Sequence, residues 1–228
     1  MIKVIFENEN FVVCNKPALV LSVPARERDD ARPCLGLDLQ QKYQRSVFPV
    51  HRLDYEVSGL IIYALNSKAH KISQDWFLKK TISKRYEAVT SVQDFSHWPE
   101  KVPTDRTVIV SDIGQQFYWN TKIHRGKKRS FESEHGEWAE TEAVIVGHEN
   151  AVLNNHELQS LKWDLFPLTG KPHQLRLELA RRGFPIHGDK LYGSNVDNNQ
   201  DGISLKAVEL NLSNVDNKLG LPTRIFLK

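Results

Sequence analysis

The segment HRLDYEVSGLIIYALN, residues 51–66, constrains the fold more than any other part of the chain. A crowd of charged and hydrogen-bonding side chains ends at the turn residues Ser58 and Gly59, and the chain then passes straight into the apolar run 60–64. A run that short and that apolar, bounded by turn signals, is a compact buried strand. A sheet is therefore expected, with Asp54 in the loop that leads into one of its strands. Asp54 is then either the anchor of a salt-bridged loop or a carboxylate placed for chemistry.

The segments around it carry the same grammar. IKVIFENENFVVCNKP reads as two short strands about the polar turn 7–10, closed by Pro17. CLGLDLQQKYQ predicts a short helix with Leu39 and Tyr43 on one face. Ser67 is placed to cap a helix whose inward face is Ala69, Ile72, Trp76 and Phe77. KRYEAVT returns as a strand with Arg85 and Glu87 on one side and Tyr86 and Ala88 on the other.

Residues 93–138 mix strand fragments with polar loops, among them the basic turn HRGKKRS around Gly126. A solvated hairpin tip and an RNA contact are both open readings of that turn. AETEAVIV, LKWDLFPL and LKAVELNL read as strands, NVDNNQDG as a polar loop. HQLRLELARRG reads as an amphipathic helix with Leu175 and Leu179 inward and Gly183 at a left-handed end. Strands outnumber helices and antiparallel turns are frequent. The expected class is α+β: a mixed, mainly antiparallel sheet with flanking helices.

At 228 residues, with 40% hydrophobic and 9% aromatic residues, the chain suffices for one domain with a proper core. A single domain over residues 1–228 is expected. No apolar run reaches membrane-spanning length and the first residues lack a signal-peptide layout. Cys14 and Cys34 have no CxxC spacing, so a reducing cytoplasm is the expected location. A net charge of +3, from 31 basic and 28 acidic residues, is compatible with nucleic acid without requiring it.

Several chemistries are excluded by spacing. GxxxxGK[ST], GxGxxG and GxSxG are all absent. His51, Asp54, His173, His187 and Asp189 include no HxH or HExxH pairing, which argues against a metal site.

HRLDYEVSGL, KRYEAV, GKPHQLR and GDKLYGS, in this order, resemble the catalytic domain of the RluA-type pseudouridine synthases, as does the weaker A-x-T strand in AETEAVIV. The resemblance runs from VVCNKP to LKAVELNL, most of the chain. Val57 stands where the family usually has Thr, and Lys171–Pro172 where it usually has Arg and a small residue.

The resemblance implies a pseudouridine synthase fold with a central RNA-binding cleft. It implies isomerisation of uridine in structured RNA, ribosomal or transfer, with no cofactor and no metal. On this pattern Asp54 is the catalytic aspartate and Arg176 the cation that keeps it ionised, since a nearby opposite charge favours the charged form. Tyr86 would lie against the target base, and Arg52 would fill the space left by a flipped nucleotide. His51 would shape the loop beside the RNA, and Lys171 and Arg181 are candidate phosphate contacts. Many relatives carry a small N-terminal RNA-binding domain; residues 1–15 already read as catalytic strands, so none is expected here. No obligatory protein partner is implied, and a monomer is expected. A non-catalytic RNA-binding protein on the same fold and a metal-dependent hydrolase are the rival readings.

Overall fold

The computed structural model describes residues 2–227 except 26, 28, 97, 99–103, 154, 155, 199 and 217; along 150–153 and 156–158 it describes the backbone alone. Parts of the predicted loop segments around 97–103 and at 199 therefore lie outside the described residues. The chain forms two compact units, Met1–Lys84 with Lys206–Lys228, and Arg85–Leu205.

The first unit begins with β1 (Lys3–Glu7) and β2 (Phe11–Lys16), followed by α1 (Leu35–Tyr43), β3 (Phe48–Pro49), β4 (Ser58–Ala64) and α2 (Ser67–Leu78). β1 and β4 flank β2, both antiparallel to it. The apolar run predicted from the sequence is the interior of β4, buried from Gly59 onward. Phe11, Val13, Leu60 and Ile62 meet Ala69 and Trp76 of α2 in one core, with Ile72 and Phe77 packed against it. The α2 face thus follows the sequence pattern, but its cap lies one residue earlier than expected. Asn66, not Ser67, has the extended backbone that a cap requires, and its side chain accepts from Ala69 N at 2.8 Å.

The second unit starts on β5 (Ser83–Ser91) and continues through β6 (Gln116–Arg125), β7 (Ser130–Glu132), β8 (Glu137–Leu153) and β9 (His156–Pro167) to α3 (Gln174–Ala180). These strands lie in the order β5-β9-β8-β6-β7, every neighbour antiparallel. Gly183 takes the expected left-handed conformation, φ 83°.

α3 differs from its reading. It has only seven residues, and all of them are buried. Its charges are enclosed because each has a partner: Glu178 accepts from Thr121 at 3.0 Å and pairs with Arg182, whose guanidinium lies over Trp119.

The chain then completes the first unit with β10 (Leu205–Asn211) and β11 (Arg224–Phe226). β10 runs parallel to β4, and β11 is antiparallel on β10. The sheet structure is therefore mixed and mainly antiparallel, with helices against it, as the sequence predicts.

Candidate active site

In the first unit the loop 51–57 is held from both sides. Ser22 Oγ donates to Leu53 O at 2.8 Å and accepts from Leu53 N at 3.0 Å, while Tyr63 donates to Ser22 O at 2.7 Å. Val57 N closes a turn onto Asp54 O at 3.2 Å, and Leu19 N donates to Tyr55 O at 2.8 Å. Leu53 and Val57 are buried whereas Asp54 is half-buried, so apolar neighbours fix the carboxylate at a boundary between core and solvent. Gly59 ends the loop at φ 115°, its α-carbon facing the β10 backbone. An added Cβ would meet Ala207 O at 2.2 Å, so only glycine allows this approach.

Lys16 is a buried cation beside this loop that motif matching alone passes over. Its side chain is fully buried, and its ammonium donates to Val20 O at 2.7 Å, Pro17 O at 2.9 Å and Tyr55 O at 3.4 Å. Burial pulls its pKa down to about 8, against the opposing pull of Asp54 and Glu56. Lys16 is thus a cation built into the floor of the Asp54 loop. The NKP triplet was its only sequence signal.

His51 faces inward. Its Nε2 accepts from Ile62 N at 3.2 Å, and its ring stacks on Phe77 at 5.2 Å. Part of the residue reaches solvent, yet only a neutral imidazole can accept that bond. Burial, then the Lys84 charge, pushes its pKa down to about 3. Arg52, next in the chain, is exposed.

In the second unit Tyr86 sits on β5 opposite Leu165 of β9, on the same buried side as Ala88. Arg85 turns the other way and pairs with Glu87 and Asp164. Arg176 is only 1% exposed, so it is no surface arginine. Asp189 Oδ2 accepts from its Nε at 2.7 Å and Oδ1 from its Nη2 at 2.8 Å. Lys171 pairs with Glu137, and Arg181, buried, pairs with Glu132 at 2.5 Å.

The basic turn is a hairpin tip between β6 and β7, closed by Gly126 N on Arg129 O at 3.0 Å. It is tied down by Ser130 Oγ on Pro172 O at 2.7 Å and Arg125 against His173 at 3.0 Å. Lys127 and Lys128 are exposed.

His51, Arg52 and Asp54 thus share one loop of the first unit, and Tyr86, Lys171, Arg176 and Arg181 belong to the second. Among the described residues no group of His, Cys, Asp or Glu is arranged to hold a metal ion. No helix among them is long and apolar enough to cross a membrane.

Residues 10–181 match the family model for RNA pseudouridylate synthase. The chain is 30% identical over 195 residues to the uncharacterized RNA pseudouridine synthase YhcT of Bacillus subtilis, covering 83% of this chain and 57% of that protein. It is also 30% identical over 191 residues to the dual-specificity RNA pseudouridine synthase RluA of Escherichia coli O157:H7, covering 84% of this chain and 77% of that protein. Among solved structures, human RNA pseudouridylate synthase domain containing 1 has the same fold, with a TM-score of 0.68 at 22% identity over 93% of this chain and 78% of that one. The chain belongs to the RluA-type RNA pseudouridine synthase family.

Proposed function

We propose that this chain converts particular uridines of structured RNA, ribosomal or transfer, to pseudouridine, with Asp54 as the catalytic carboxylate. The observation that carries the reading is the Asp54 loop, pinned by Ser22, Lys16 and Gly59 in a chain of this family. RNA binding alone does not need that acid.

The reaction breaks the bond from the sugar to uracil N1, turns the base, and forms a bond from the same sugar carbon to C5. The C5 proton leaves to solvent and N1 gains one, so no electrons are exchanged and no cofactor is needed. An ionised carboxylate serves as nucleophile or removes a proton from the sugar. Extruding the base costs about a few kcal/mol, part of which the planar Arg52 guanidinium offsets by stacking on the neighbouring bases. Tyr86 supplies an aromatic face for the flipped uracil. Arg176 serves as the catalytic cation, His51 shapes the loop, and Lys171 contacts phosphate. The enzyme works as a monomer in the cytoplasm and requires no protein partner.

Asp54→Asn tests this. It keeps volume and hydrogen-bonding reach but removes the charge. The variant is expected to melt with the parent and bind RNA equally well, while tritium release from C5-labelled uridine falls to background. Substantial release by the folded variant would overturn the reading.

A further inference from the structure

The turn GDKLYGS, residues 188–194, has no part in the chemistry proposed above, yet it is built around one buried carboxylate. We propose that Asp189 is a positioning residue for isomerisation, holding the Arg176 guanidinium by one edge so that the rest of the fork takes a fixed direction. The proposal rests on the function given above.

Both side chains of the pair are 1% exposed. Burying a guanidinium is strongly unfavourable without compensation, and Asp189 supplies an opposite charge enclosed with it. The contact is side-on: Nε and Nη2 engage the two carboxylate oxygens at 2.7 and 2.8 Å. Two parallel bonds fix the guanidinium plane and its rotation, which a single bond or a lysine ammonium cannot do. The same turn supplies a second restraint, because the Arg176 Cζ lies 5.3 Å from the centre of the Tyr192 ring. Tyr192 is itself held by Ser130, whose N–H donates to its hydroxyl at 2.9 Å.

The turn's backbone serves the same end. Asp189 N donates to Ile186 O at 2.9 Å, and its carbonyl accepts from Tyr192 N and Ser194 N, each at 3.0 Å. Gly188 at φ 82° and Gly193 at φ 92° bracket it in conformations that side chains resist. A Cβ on Gly188 would also stand 2.7 Å from Gly202 O. The direction of Arg176 is therefore set by this turn as well as by α3.

A buried ion pair with a purely structural role would affect stability alone, whichever partner is lost. The test measures single-turnover tritium release and RNA affinity for Asp189→Asn, in the parent and in an Arg176→Met background. In the parent the rate is expected to fall about 100-fold, the scale of a mispositioned group. RNA affinity should stay within about threefold. In the Arg176→Met background the same change should alter the remaining rate by less than about twofold, because its target is gone. An unchanged rate in the parent, or an equal loss in both backgrounds, would overturn the proposal. Should Asp189→Asn fail to fold, Arg176→Lys decides: it keeps the charge but not the side-on fork, and a parental rate in that variant also overturns it. Absence of tritium release from the unaltered protein would refute the proposed function instead, which separates the two failures.

Discussion

Gly59 is the residue where backbone shape, rather than side-chain chemistry, decides whether Asp54 is presented at all. Its φ of 115° is adverse to any L side chain, and an added Cβ would fall 2.2 Å from Ala207 O and 2.5 Å from Ala207 N. These are backbone atoms of a paired strand, so neither can move aside cheaply. Gly59→Ala is expected to cost about 3 kcal/mol or more. For a chain of this size that lowers the melting temperature by roughly 6–12 °C. Gly114 is the control: at φ 89° it has nothing within 4 Å of an added Cβ. Gly114→Ala should cost only the backbone term, about 1 kcal/mol. Thermal melts of the two variants check this, and equal small shifts would show that β4 and β10 can separate without penalty. The sequence marked Gly59 as a turn residue but not as a contact, because its neighbour Ala207 is remote in the chain.

At the level of elements, what was legible is what local pattern encodes. β2, β4 and the α2 face declare themselves through apolar runs and helical spacing, and the left-handed end after α3 through Gly183. The parallel pairing of β4 with β10 left no local mark, since it joins residues 58–59 to 206–207. α3 was read as amphipathic because Arg176, Glu178 and Arg182 are charged; only the tertiary partners Asp189, Thr121 and Trp119 explain their burial. Of the site, Asp54 and its loop were legible as a motif, whereas the ammonium of Lys16 beneath it was not. The β6–β7 tip also carries a prediction. Lys127 and Lys128 are exposed, while the turn's shape rests on Gly126, Arg129 and Ser130. Replacing both lysines by Ala should leave the melting temperature unchanged. If both contact phosphates, the slope of log affinity against log salt should become shallower by roughly 1.4–1.8. An unchanged slope would return the tip to a solvated hairpin.

For the whole molecule, stability against pH follows from groups buried in the wrong charge state for acid. His51 is neutral in the fold, with its pKa pushed down to about 3 by burial and Lys84, against about 6.5 in an unfolded chain. Between those values the unfolded chain binds the extra proton, so stability is lost as pH falls from about 6.5, at up to about 1.4 kcal/mol per unit. His187, lowered by burial, acts in the same direction. Glu178, raised by burial, acts oppositely, since acid relieves its buried charge. At the alkaline end the effects divide. Lys16 and Lys84, both lowered to about 8, make stability rise from pH 8 towards 10.5, while Cys14, raised to about 12, makes it fall above pH 9. The acid limb is therefore the cleaner test. His51→Gln keeps an acceptor near the Nε2 position for Ile62 N but cannot take up a proton. Urea unfolding at pH 7, 6 and 5 should show the parent losing about 2 kcal/mol across that range and the variant markedly less. Parallel lines for the two proteins would mean that His51 protonates in the fold, and that the Ile62 hydrogen bond does not hold the loop in place.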